Sequence, residues 1–206
     1  SITFINSILK ENDFFYSVLC PFIYLKATCE RLLNISSEES INMLKDVILN
    51  ESIKGTLNIS DVLDSEVIVI AVPSSQIRVV LNKIKDKLVN KPIILNVSKG
   101  FDKETFKRLS EVIKEEISED KISGVVTLIG PGYAEEVVVK YYTAISAVSS
   151  SKEASEKIQV LFSNNYFRVY TNDDEIGAEV GAAIKNVIAI ASGILLFAPD
   201  SVIQML

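Results

Sequence analysis

Histidine is absent from all 206 residues. Its absence removes Ser-His-Asp and Cys-His nucleophile pairs, histidine-bearing zinc sites and the commonest general base in one step. Any acid–base work falls to Lys, Asp, Glu, Tyr or Cys. Cysteine occurs only as Cys20 and Cys29, with no metal-ligand pattern around them. That usage favours buried free thiols in a reducing cytoplasm over a bridge, and no metal site is expected. Basic residues are in deficit, 21 Lys and Arg against 27 Asp and Glu, for a formal net charge of -6. Without a basic surplus nucleic acid is not an expected partner, although a local patch can still bind a small anion. Glycine is scarce, eight in all and none before Gly55. A cationic stretch leading into an apolar core and a cleavage site is also missing at the start, so no secretory signal is expected.

The chain does contain long apolar runs, two of them extended enough to test as membrane spans. Phe14 to Leu25 is too short and is broken by Pro21. Val180 to Phe197 is of marginal length and holds one charge, Lys185. Placing that lysine at a bilayer centre would cost ~2.5–3.5 kcal/mol on insertion scales, so a buried helix is expected and a membrane location is not. A lysine among Ala, Ile, Val and Gly must reach water or meet a partner, because an isolated buried ammonium is strongly disfavoured. Lys185 is therefore a candidate for proton chemistry.

Residues 1 to about 60 give few signals. Ile2-Thr-Phe-Ile5 can form a short strand, and Ser36 and Ser37 followed by Glu38 and Glu39 read as the start of a helix running toward Leu49. From Asp61 the pattern sharpens. Val67 to Val72 is a continuous apolar run, as expected of a strand covered on both faces, and Pro73, Ser74 and Ser75 end it. A helix follows with Ile77, Val80, Leu81, Ile84 and Leu88 at helical spacing. Ile93 to Val97 reads as the next strand, ending in Ser98-Lys99-Gly100; Asp102 can cap a helix through Ile117 with Phe106, Leu109, Val112 and Ile113 inward. Further strands are expected at Val125–Ile129, Ala144–Val148 and Phe167–Tyr170, a helix at Lys152–Phe162, and a long final helix around Lys185.

Alternating strands and helices argue for βαβ units: an α/β fold, with a mainly parallel sheet and helices on both faces. Pro73-Ser74, Ser98-Lys99-Gly100 and Gly130-Pro131-Gly132 each follow the C-terminal end of an expected strand. Open α/β sheets bind ligands at that edge. There glycine lets the backbone approach a ligand, and Lys99 offers a point charge to phosphate or an oxyanion.

Ala71-Val-Pro-Ser74, Ser98-Lys-Gly100, Gly130-Pro-Gly-Tyr-Ala-Glu-Glu136, Phe167-Arg-Val-Tyr-Thr-Asn172 and Ile176 to Ile190 together resemble, in order and spacing, the bacterial NAD(P)-dependent glycerol-3-phosphate dehydrogenases. The resemblance covers about residues 58 to 195. It implies a Rossmann-like dinucleotide-binding domain over residues 1–172, poorly matched over 1–57. Residues 173–206 would then be a truncated all-helical C-terminal element, the first helix of a substrate domain. That family reduces dihydroxyacetone phosphate to sn-glycerol 3-phosphate with NADH or NADPH for phospholipid synthesis.

By resemblance, Lys185 is the catalytic lysine. Lys99, Gly130, Gly132 and Asn186 line the substrate site, and Lys99, Ala134, Pro73 and Ser74 the cofactor site. The family's Gly-x-Gly-x-x-Gly turn has no counterpart after Ile5, where Asn6-Ser7-Ile8-Leu9 follows. Gly132 stands where the family has a hydroxyl residue. After Gly193 the residues leave the family pattern, so the Arg-Asn pair that the family uses on the substrate phosphate falls outside the chain, and the Lys185 helix is left with an uncovered apolar face suited to self-association as a homodimer. Three readings stand: an NAD(P)-dependent dehydrogenase; a degenerate or truncated relative keeping the fold without catalysis; and a module binding a membrane or partner through residues 180 to 198.

Overall fold

The computed structural model describes residues 58–132, 137 and 140–197, apart from the side chains of Val62, Leu196 and Phe197. The expected strand at Ile2–Ile5, the helix toward Leu49, Phe14 to Leu25, both cysteines and Ala134 lie outside the described residues.

Five strands form one sheet in sequence order: β1 (Val67–Ile70), β2 (Ile93–Asn96), β3 (Gly124–Ile129), β4 (Thr143–Val148) and β5 (Phe167–Asn172). Helices α1 (Ile77–Ile84), α2 (Leu109–Glu116) and α3 (Lys152–Phe162) carry the chain between β1 and β2, β2 and β3, and β4 and β5. Those three strand pairs are parallel, as helical crossovers require, whereas β3 and β4 are antiparallel. The sheet is thus mainly parallel.

Strand alternation sorts the apolar side chains into two cores. Ile68, Ile70, Ile94 and Val125 pack with Ile77, Val80, Leu81 and Ile84 of α1 and Leu109, Val112 and Ile113 of α2. On the opposite face Ile93, Leu95, Val126, Leu128, Ile145, Ala147, Phe167 and Val169 pack with Ala154, Ile158 and Phe162 of α3. Helices therefore cover both faces. β2 is buried at every position, which explains its unbroken Ile-Ile-Leu run. Ser151 caps α3, its hydroxyl accepting from the Ala154 N–H.

The helix expected to begin at Asp102 begins instead at Leu109, where the Glu111 side chain accepts from the Arg108 N–H. Residues 101–108 form a closed loop, bridged between Phe101 and Arg108. Phe106 has φ 56 and is 80% exposed, not inward, since the left-handed backbone at this position interrupts the helical turn that Asp102 starts. Asp102 is buried and accepts from the Thr105 hydroxyl (2.6 Å) and the Arg78 guanidinium (3.2 Å). The Thr105 hydroxyl foremost, and Arg78 after it, outweigh burial and hold the Asp102 carboxyl below its ordinary range. A depressed carboxyl stabilises the fold above its unfolded pKa of about 3.9, and that contribution is lost as pH falls through the lower folded value. Thr105→Val is expected to move acid unfolding to higher pH, while Thr105→Ser leaves it in place; far-UV circular dichroism against pH checks both.

The final helix, α4 (Glu175–Phe197), runs for 23 residues, roughly 35 Å. It starts at the edge where β4 and β5 end, and passes β3 on the α2 face, where Glu179 accepts from the Thr127 hydroxyl at 3.0 Å. By length and composition residues 175–195 could cross a membrane. The expectation of a buried helix does not hold among the described residues. Over 175–195 Glu179 alone is buried, while Ile184, Val187, Ile188, Ile190, Ile194 and Leu195 face outward. The α2 side offers the helix polar receptors, and no described element covers it beyond the strand ends.

Candidate functional site

Parallel pairing of Ile70 with Asn96, and of Asn96 with Thr127, brings the C-terminal ends of β1, β2 and β3 to one edge. From that edge emerge Pro73-Ser74, Ser98-Lys99-Gly100 and Gly130-Pro131-Gly132. Buried Asn96 shapes the central turn: its side chain donates to the Ser98 carbonyl (3.2 Å) and accepts from the Ser98 N–H (3.0 Å). The Ser98 hydroxyl donates to the Val72 carbonyl, tying the β2 end to the β1 end. Gly100 has φ +105, a conformation that side chains rarely adopt, and open space lies where a Cβ would stand. Pro73 is exposed and Ser74 half-buried, opening a short 3-10 turn into α1.

Lys185 comes to this edge from α4. Its ammonium lies near enough to Lys99 for its charge to act there: burial first, and the Lys185 charge second, push the Lys99 pKa down. Neither lysine makes an ion pair with a described residue, whereas Arg108 and Lys114, which help to hold α4, both do. Two like charges near enough to repel, with no counter-charge among the described residues, favour an anion that relieves their repulsion. Lys185 and Asn186 are both exposed on α4.

Gly130 and Gly132 occupy different situations. A Cβ on Gly130 would stand 2.7 Å from Ile145 Cβ and 2.8 Å from its Cα, so glycine here permits a close approach of β3 to β4. Among the described residues, a Cβ on Gly132 would meet only the Thr143 methyl, at 3.5 Å.

The residues that hold α4 in place gave little sequence signal. The Lys114 ammonium donates to Glu175 (2.8 Å), as does the Ser150 N–H (2.8 Å). Burial pushes the Glu175 carboxyl up, but the hydrogen bonds from Lys114 and Ser150 overcome it and leave the pKa low. Glu179 draws in Arg108, Ser110 and Thr127. A glutamate opening a small-residue run was visible in the sequence; its partners, on a loop, a helix start and a strand, were not.

A mainly parallel sheet with helices on both faces, presenting glycine, serine and lysine at its strand C-termini, defines a Rossmann-like α/β fold. The edge fits a phosphate-bearing cofactor or substrate, for it offers two ammonium groups that pair with no described residue, beside the Gly100 turn. The chain belongs to the family described as NAD-dependent glycerol-3-phosphate dehydrogenase N-terminus, whose model matches residues 17–155. That match begins well ahead of residue 58, so the poorly read N-terminal region shares the family pattern further than its motifs suggested.

Among curated relatives, glycerol-3-phosphate dehydrogenase [NAD(P)+] of Macrococcus caseolyticus is 45% identical over 152 residues, which is 73% of this chain and 46% of that protein. The Listeria innocua protein of the same name is 41% identical over 168 residues, 80% of this chain and 50% of that one. The chain thus spans about half the length of the curated relatives it matches. The crystal structure of glycerol-3-phosphate dehydrogenase from Coxiella burnetii is 26% identical with a TM-score of 0.66, covering 84% of this chain and 57% of that one.

Proposed function

We propose that this chain carries the cofactor-binding half and the catalytic lysine of an NAD(P)-dependent glycerol-3-phosphate dehydrogenase, reducing dihydroxyacetone phosphate to sn-glycerol 3-phosphate in the cytoplasm for phospholipid synthesis. The observation that carries this reading is the action of the Lys185 charge on Lys99 at the strand-end edge, with neither lysine in an ion pair with a described residue. The nicotinamide, when bound, supplies a hydride to the ketone carbon. Lys185 polarises the ketone oxygen and donates the proton that turns it into the alcohol, while Asn186 orients the substrate. Negative charge grows on that oxygen as the hydride arrives, and a preorganised cation stabilises it more than mobile water does. Lys99 holds the anionic groups at the junction of cofactor and substrate. Gly130 and Gly132 line the substrate side by their backbone, and Pro73, Ser74 and Ala134 the cofactor side.

Exposure of Lys185 and of the apolar side of α4 favours a second reading, a relative that keeps the fold without turnover, since a solvated ammonium loses much of its electrostatic leverage. Cover for that face, from a helical domain or a second copy in a homodimer, would exclude water from the site. Dihydroxyacetone phosphate-dependent oxidation of NADH or NADPH by the purified chain tests both readings. Turnover dependent on both ligands supports the enzyme; binding of the cofactor without turnover supports the inactive relative.

A further inference from the structure

In α4 the one buried side chain of residues 175–195 is a glutamate, on a helix otherwise rich in Ile, Val and Ala. Both carboxylate oxygens of Glu179 are fully engaged. One accepts from the Ser110 N–H (3.3 Å) and the Thr127 hydroxyl (3.0 Å), and the other from the Ser110 hydroxyl (2.6 Å) and the Arg108 guanidinium (3.2 Å). Four acceptances exhaust what a carboxylate offers. The donors come from the residue that opens α2, from the first turn of α2 and from the middle of β3, so one side chain fixes α4 against two separate elements. Lys185 lies six residues further on, roughly 9 Å along the axis. Apolar packing does little to hold the helix there, because the residues between are half-buried or exposed.

We propose that Glu179 is a positioning residue for Lys185: by binding Arg108, Ser110 and Thr127 it sets the path of α4 so that the Lys185 ammonium arrives beside Lys99. This rests on the functional reading given above, and the test separates the two.

The test reads the ionisation of Lys99 in the full 206-residue chain, from the pH dependence of its acetylation by acetic anhydride measured by peptide mass spectrometry. Lys185→Met removes a neighbouring positive charge and is expected to raise the Lys99 midpoint. Glu179→Ala is expected to reproduce most of that rise, and adding Lys185→Met to it to change little more. Thr127→Val, which removes one donor and keeps a β-branched strand residue, is expected to give a smaller rise; it decides the matter if Glu179→Ala does not fold. A loss of general stability alone would leave the Lys99 midpoint unmoved in the folded fraction. If Lys185→Met shifts Lys99 but the Glu179 and Thr127 variants do not, the positioning role is overturned and the functional reading stands. Should Lys185→Met itself leave Lys99 unmoved, the lysine pairing fails and both go.

Discussion

On the proposed dehydrogenase function, Lys185→Ala is expected to lower dihydroxyacetone phosphate-dependent oxidation of NAD(P)H by about 10²–10³-fold, the usual cost of removing one preorganised group that stabilises a developing oxyanion. The fold should not register the change. Lys185 is exposed and makes no ion pair with a described residue, and substitutions at such positions usually stay within about 0.5 kcal/mol. Steady-state kinetics and a thermal melt on the same preparation therefore separate catalysis from structure. Loss of kcat with an unchanged melt is the expected pair. Lys99→Met serves as the comparison: a lysine that holds anionic groups in ground state and transition state alike should raise KM more than it lowers kcat. Turnover retained in Lys185→Ala would remove the lysine from the chemistry and leave it a solvated charge on an apolar helix.

The parts legible in the sequence were those written as local pattern. β2 shows its burial on both faces as an unbroken apolar run, and α1 and α3 show their buried stripes at helical spacing. Strand ends announced the candidate edge because turns there need Gly, Pro and Ser. Three features were not legible, each for a physical reason. The loop over 101–108 follows from the left-handed backbone at Phe106 and the Phe101–Arg108 bridge, which stop the turn that Asp102 starts with Thr105, and a positive φ at a phenylalanine is not written in local pattern. Reversal of β4 relative to β3 is not written in the strand residues, since nothing in them encodes direction. The exposure of α4 inverts the rule that apolar residues seek the interior, because Glu175 and Glu179 dock the helix while its apolar residues remain outside. Periodicity reports which residues could be buried; whether a partner surface exists is decided elsewhere in the fold.

Gly130→Ala is expected to destabilise the chain by about 1–3 kcal/mol, the cost of forcing extra volume into a packed contact. Pairing of Ile129 with Ser146, carried one residue further, puts Gly130 opposite Ile145. Facing Cβ atoms in an antiparallel pair ordinarily stand about 4.5–5.5 Å apart. Here a Cβ would come within 2.7 Å of Ile145 Cβ and 2.8 Å of its Cα. Those atoms belong to or adjoin the backbone, so no change of rotamer relieves the clash, and Ile145→Ala does not rescue the variant. The strands must part, carrying Pro131 and Gly132 away from the Lys99 edge. Gly132→Ser makes the contrast. Its Cβ meets the Thr143 methyl at an ordinary 3.5 Å, so stability should stay within about 0.5 kcal/mol of the unaltered chain. Denaturant unfolding of the two variants side by side checks the difference. Equal stabilities would mean that the β3–β4 approach is looser than described. The expected result separates two glycines that look alike in the Gly130-Pro131-Gly132 motif: the first is required by the sheet, and the second leaves room for a small side chain.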